Sequence, residues 1–135
     1  MEIVIGASIA AAWFLPDEKN GAADLILHGL RTGPGHVPAL FWFGLRNPFL
    51  VAERRGRLKP GEALLSMMQL RGLPLRDEGS GTDAGVLNLA GKHSLSAYHA
   101  SYLALAVQLA MPLATTDQVL AGAARLEGIS VLGAS

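Results

Sequence analysis

The chain has 135 residues, of which 50% are hydrophobic, and its 11 basic and 11 acidic residues give a formal net charge of zero. This composition excludes a disordered chain and argues against a domain that binds nucleic acid through a large positive charge. The sequence contains no cysteine, which excludes disulfides and thiolate metal sites. We therefore expect one globular domain over residues 1–135 with a sizeable core.

The first elements are predicted from an apolar run over residues 3–15. This run is too short to span a bilayer, and no basic stretch precedes it, as a signal peptide would require. We interpret it as a buried strand over residues 2–5 followed by a helix over residues 7–14. The protein is therefore expected to be cytoplasmic, without contact with a membrane.

Strands and helices alternate along the rest of the chain. Helical periodicity predicts helices over residues 20–30, 40–55, 60–70, 84–92, 94–110 and 117–127, and short apolar runs predict strands over 36–39, 73–76, 113–115 and 129–132. The apolar faces are expected to include Leu64, Leu65, Met68 and Leu70 in one helix, and Tyr98 and Tyr102 in another. This alternation is typical of an α/β fold with a central parallel sheet and helices on both faces.

Pro48 interrupts the predicted helix over residues 40–55. A proline there cannot donate to the carbonyl of Gly44 and its ring clashes with that carbonyl. Together, Gly44 and Pro48 disfavour a helix by about 3–4 kcal/mol. We expect a kink at this point, and the alternative is a new helix that starts with Asn47 as cap.

Five segments resemble the PIN-domain family of VapC toxins, and they are distributed over nearly the whole chain. Residues 3–10 (IVIGASIA) are similar to the family's first strand and the turn that follows it. Residues 36–40 (HVPAL) and 51–58 (VAERRGRL) resemble its third-helix region. Residues 95–106 (LSAYHASYLALA) resemble its long helix, and residues 112–117 (PLATTD) resemble its last acidic turn. The resemblance implies a single PIN-like domain.

The same resemblance implies a function. VapC-like toxins are endoribonucleases that a VapB antitoxin neutralises, and the resemblance also implies a homodimer. Their site holds Mg or Mn in a cluster of about four carboxylates. Such ions prefer oxygen ligands, and a bound ion activates a water molecule for attack on the phosphodiester.

The family's acidic positions are mostly not acidic in this chain. Gly6, Gly44 and His99 stand where the family has carboxylates, and Asp117 is the acid that remains. The polar residues that the resemblance adds to the site are Ser8, Asn47 and Thr115. One carboxylate with one imidazole is a poor magnesium site, because imidazole suits other metals better. We therefore expect RNA cleavage to be weak or absent, while antitoxin binding is retained.

Two other functions remain open. The chain is an active ribonuclease if Asp117, His99 and the RNA phosphate hold the metal together. It is a pure RNA- or protein-binding module if a basic run over residues 54–59 contacts the partner through Arg54, Arg55 and Arg57.

Simpler interpretations of the same residues also remain open. The basic run is typical of a solvated helix end, Asp117 of a helix cap, and His99 of a helix residue without a chemical role. A Ser8–His99–Asp117 triad is less favoured, because no nucleophile elbow surrounds Ser8.

Overall fold

The computed structural model describes residues 2–134, so residues 1 and 135 of the predicted domain lie outside the described residues. Five short strands form one sheet in the order β3-β2-β1-β4-β5, and each neighbouring pair is parallel. They are β1 (Ile3–Ile5), β2 (Gly35–Val37), β3 (Leu75–Asp77), β4 (Leu113–Ala114) and β5 (Val131–Leu132). The predicted α/β fold with a central parallel sheet is confirmed.

Helices surround this sheet and connect its strands, as the alternating pattern predicted. They are α1 (Ala7–Phe14), α2 (Gly21–Gly29), α3 (Leu40–Arg54), α4 (Glu62–Arg71), α5 (Asp83–His93), α6 (Ala97–Leu109) and α7 (Gln118–Leu126). A 3₁₀ turn over Pro16–Glu18 follows α1 and was not predicted. None of the helices in residues 2–134 is long and apolar enough to cross a membrane.

The largest boundary error concerns the start of α6. The prediction began this helix at residue 94, but Ser94 has a left-handed backbone with φ of 55° and ends α5. The helix starts three residues later, where the hydroxyl of Ser96 accepts a hydrogen bond from the amide of His99. Serine is a preferred capping residue because its side chain satisfies such an amide.

Pro48 does not end α3, which runs without a break from Leu40 to Arg54. The predicted alternative, a new helix capped by Asn47, is therefore wrong, while the kink itself stays a prediction. One face of α3 carries Phe41, Leu45 and Phe49, which are all fully buried. Burial of each such side chain contributes about 1.5–3 kcal/mol, so together they outweigh the cost of Gly44 and Pro48.

The central strand β1 positions the first part of the site. Val4 and Ile5 are fully buried between the neighbouring strands β2 and β4. At the carboxyl end of β1, the amide of Gly6 donates to the carbonyl of Ala114 over 2.8 Å. This bond holds the turn into α1 beside the turn that leads from β4 to α7.

Candidate active-site cavity

A cavity of about 330 Å³ opens at the carboxyl ends of β1 and β4, which is where open α/β sheets bind ligands. It brings together five predicted site residues and four others. The lining consists of Gly6, Ala7, Ser8, His99, Tyr102, Thr115, Thr116, Asp117 and Leu120. The other predicted site residues do not line it; they are Gly44, Asn47, Arg54, Arg55 and Arg57.

Gly6 lies close to β4 at the cavity wall. A Cβ atom added at this position would lie 2.8 Å from the carbonyl oxygen of Ala114. The backbone of Gly6 is in the ordinary extended region, with φ of −74° and ψ of 153°. A larger residue at this position would therefore press on the backbone of β4, and one of the two chain segments would have to shift.

Asp117 has a structural role as the N-cap of α7. Its Oδ1 atom accepts a hydrogen bond from the amide of Leu120 over 2.7 Å. Its own amide donates to the hydroxyl of the buried Thr115 over 3.1 Å, and the neighbouring amide of Thr116 donates to the hydroxyl of Ser8 over 3.1 Å. These bonds explain the places of Ser8 and Thr115, and they leave the second carboxylate oxygen of Asp117 outside the cap.

His99 lies close to Asp117 without a tight contact. The distance from His99 Nε2 to Asp117 Oδ2 is 3.9 Å, and both side chains are partly exposed. This distance is longer than a hydrogen bond, and such exposed pairs contribute little to stability. Ser8 also lies at the cavity, but its hydroxyl accepts a hydrogen bond from the amide of Thr116. The three residues thus converge without forming a catalytic triad.

Tyr102 is a cavity residue that the sequence analysis placed only in the core. Its hydroxyl is buried and forms no hydrogen bond with any described residue. Burial raises the pKa of Tyr102 above its usual range because it disfavours the phenolate. The amide of Ala7 lies near enough to oppose that rise slightly, although the pair lacks hydrogen-bond geometry. The sequence signal that could have placed Tyr102 at the cavity is its spacing of three residues from His99, which is about one helical turn.

The sequence matches no known family model, and no curated protein is significantly similar to it. Its fold, however, is shared by solved structures over nearly their whole length. PAE2754 from Pyrobaculum aerophilum is 20% identical with a TM-score of 0.75, over 97% of this chain and 83% of that one.

Two further structures carry toxin–antitoxin names. VapBC2 from Rickettsia felis, bound to a DNA fragment from its promoter, is 11% identical with a TM-score of 0.63, over 97% of each chain. FitAcB from Neisseria gonorrhoeae is 19% identical with a TM-score of 0.61, over 97% of this chain and 96% of that one. The chain has a VapC-like PIN-domain fold. At these identities the likeness concerns the fold alone, and it confirms the fold that the sequence motifs predicted.

The lining of this cavity offers few of the ligands that a magnesium or manganese ion needs. No group of three or more His, Asp or Glu side chains within residues 2–134 is placed to hold a metal ion. Asp117 is the one carboxylate among the lining residues, and one of its oxygens is used by the helix cap. Magnesium keeps several waters but is held by carboxylate oxygens, so the single oxygen of Asp117 outside the cap fits it poorly.

Arg57 is already bound by acidic residues of the same chain, so its guanidinium is not free to bind a ligand. Its guanidinium binds both carboxylate oxygens of Asp17 and one oxygen of Glu18, each over 2.7 Å. The hydrogen bond from Arg57 lowers the pKa of Asp17 below its usual range. Arg54 and Arg55 are exposed at the end of α3 and form no ion pair within residues 2–134. The basic run thus contains one cation with a structural role, Arg57, and three exposed ones, which are Arg54, Arg55 and Lys59.

Gly44 and Asn47 lie on the exposed side of α3. A Cβ atom added to Gly44 would meet no atom within 4 Å. A side chain at this position has open space, in contrast to the crowded position of Gly6.

Proposed function

We propose that this chain is a VapC-like component of a toxin–antitoxin pair that binds a VapB-like antitoxin and does not cleave RNA by the metal-dependent route. The observation that carries the proposal is the composition of the cavity lining. Among the described residues that line the cavity, Asp117 is the one that carries a carboxylate. Phosphodiester hydrolysis at such a site depends on a metal ion that activates water and offsets charge. A lining with so few oxygen ligands would hold that ion poorly.

Exposed apolar side chains support the partner in this proposal. Phe43 of α3 is 63% exposed, and Leu64 and Met68 of α4, which packs on α3, are 68% and 62% exposed. A contiguous apolar patch favours a protein interface, and we propose these side chains on the packed helices α3 and α4 as members of such a patch. The antitoxin and a second copy of the chain are the partners that we propose for it, and the expected cytoplasmic location belongs to the same proposal.

The first test compares metal binding by the native chain and by the Gly6→Asp, Gly44→Glu, His99→Asp variant, using calorimetry and thermal unfolding. We expect magnesium and manganese to produce no binding heat and no change in melting temperature with the native chain. We expect the triple variant to be less stable without metal, because the new carboxylates at positions 6 and 99 share the cavity with Asp117 and the new Cβ at position 6 lies close to Ala114. Metal should raise its melting temperature, since a ligand that binds only the folded state stabilises it.

The Gly44→Glu, His99→Asp double variant is the matched control, because it restores two acids without the steric conflict at Gly6. It should bind metal less tightly than the triple variant and fold nearly as well as the native chain. The proposal is wrong if the native chain binds magnesium as tightly as the triple variant. Magnesium-dependent RNA cleavage that the Asp117→Ala substitution abolishes would support the active ribonuclease instead.

A second candidate is a pure RNA-binding module, which the two exposed arginines favour. Binding of this kind weakens as salt rises, because it depends on displaced counterions, and it does not respond to chelators. We expect the Arg54→Gln, Arg55→Gln variant to lose such binding. Arg57→Gln serves as the contrast, because its guanidinium is already bound by Asp17 and Glu18.

A further inference from the structure

The N-terminus of α1 opens into the cavity without an acidic residue or a side-chain cap of its own. Gly6 provides no side-chain cap, and the first turn of α1 contains no acidic residue. The first amides of any helix have no partner inside the helix, and Ala7 and Ser8 supply those amides here. Together with the helix dipole, such amides favour an anion.

The hydroxyl of Tyr102 is a second sign of a ligand, and it lies near the amide of Ala7 without hydrogen-bond geometry between them. The residue is only 4% exposed, lines the same cavity, and leaves its hydroxyl without a partner in the described residues. A buried hydroxyl without a partner costs free energy, which a ligand that accepts its hydrogen bond would offset. A tyrosine hydroxyl that remains protonated can serve as that donor.

We propose that this cavity binds a small phosphate-like oxyanion without a metal ion. The amides of Ala7 and Ser8 and the hydroxyl of Tyr102 are its donors, and the imidazole of His99 stands at its side. Asp117 opposes the anion, but its Oδ1 atom is already bound by the amide of Leu120. We expect a dissociation constant on the order of millimolar, because one carboxylate repels the ligand.

The proposal goes beyond the proposed function, which does not require an anion. It rests on that function only in the claim that no divalent ion occupies the cavity. A magnesium titration of the native chain tests that claim separately. Magnesium binding would contradict the proposed function, whereas failure of phosphate alone would leave the proposed function in place.

The experiment is an NMR titration of the isotope-labelled full chain with sodium phosphate, against sodium chloride at matched ionic strength. We expect saturable shifts at the amides of Ala7 and Ser8 that chloride does not produce. Tyr102→Phe should weaken phosphate binding about fivefold, the effect of one lost hydrogen bond. Tyr98→Phe is the matched control, since Tyr98 lies on the same helix but is 73% exposed, and it should change nothing.

Asp117→Asn distinguishes an anion site from a cation site. Asparagine caps a helix as well as aspartate does, so this variant should fold normally. Loss of the negative charge should tighten phosphate binding about fivefold or more, whereas a cation site would be weakened. The proposal is overturned if neither the native chain nor Asp117→Asn shows a saturable response, or if Tyr102→Phe binds as tightly as the native chain.

The same titration separates free phosphate from a phosphate group on a nucleotide. Adenosine monophosphate is the probe and adenosine is its control. Equal responses to phosphate and to the nucleotide, with no response to adenosine, would support recognition of the phosphate group wherever it is carried. A response to phosphate alone would support the free ion, because the surrounding cavity then excludes the nucleoside.

Discussion

Two of the histidines that face carboxylates differ in their surroundings, because His36 lies inside the sheet and His99 lies at the cavity. His36 of β2 is 3% exposed, with its Nε2 atom 2.6 Å from Glu2 and its Nδ1 atom 3.2 Å from Glu78. His99 is half-exposed, and its nearest carboxylate oxygen, on Asp117, is 3.9 Å away. The first histidine has both ring nitrogens bound, and the second has no hydrogen bond from its ring to a described residue.

The difference follows from burial. A buried polar group must find hydrogen-bond partners, because the alternative is a large desolvation cost. His36 therefore connects the residue before β1 with the residue after β3, and its contacts support the order of the sheet. His99 is hydrated at little cost, so it contributes little to stability and remains available to a ligand.

The largest expected effect is the loss of stability when His36 is truncated. His36→Ala should lower the free energy of unfolding by about 2–4 kcal/mol, because it leaves a cavity and two carboxylates without their shared partner. His99→Ala should change it by less than about 0.5 kcal/mol, as surface substitutions usually do. Urea unfolding of both variants measures the two values. Equal losses would show that the loose pair at the cavity also holds the fold.

The contrast between these histidines also shows what the sequence could predict. Strands, helices and the convergence of Gly6, Ser8, Thr115 and Asp117 follow from local patterns and from the rule that sites lie at strand ends. The cluster around His36 could not be predicted, since its contacts span 34 and 42 residues along the chain. The pairing of Arg57 with Asp17 is likewise remote, over 40 residues.

Helix faces were harder to predict than helices. In α4 the expected apolar side included Leu64, Leu65 and Met68, which are 68%, 48% and 62% exposed. The buried residues are Ser66 and Leu70, because tertiary packing selects the face. In α6 the same ambiguity placed Tyr98 with Tyr102 in the core, whereas Tyr98 is exposed. Periodicity identifies an element, but the direction it faces depends on neighbours that are distant in sequence.

A smaller effect on stability is expected at Asp117. Two substitutions there separate the contribution of the helix cap from that of the charge that faces His99. Asp117→Ala should lower the free energy of unfolding by about 1 kcal/mol, because the amide of Leu120 loses its acceptor. Asp117→Asn should leave it unchanged within about 0.5 kcal/mol, since asparagine keeps the cap and removes the charge. Urea unfolding of the two variants distinguishes the contributions. A large loss in Asp117→Asn would assign the charge, and thus the contact with His99, a structural role.

The smallest expected effect concerns a third histidine, His93. It is buried like His36, but its ring contacts one carboxylate instead of two. The side chain of His93 is 6% exposed and its Nε2 atom lies 2.6 Å from Glu127, which also pairs with Lys92 over 2.7 Å. The hydrogen bonds from Lys92 and then from His93 lower the pKa of Glu127 below its ordinary value of 4.5. The contact therefore stabilises the folded state when the carboxylate is charged.

The sign of the pH dependence follows from this lowered pKa. The contribution of Glu127 is fully present above pH 4.5, its ordinary pKa, and is lost as the pH falls through the lowered pKa of the folded state. Glu127→Gln should therefore be less stable than the native chain at neutral pH, and the difference should shrink in acid. Urea unfolding over a falling pH series measures it. High salt should reduce the difference further, because Lys92 is 63% exposed and its charge is screened. A difference that is the same at every pH would mean that Glu127 stabilises the fold through packing. The charge of its carboxylate would then contribute nothing to the contact with His93.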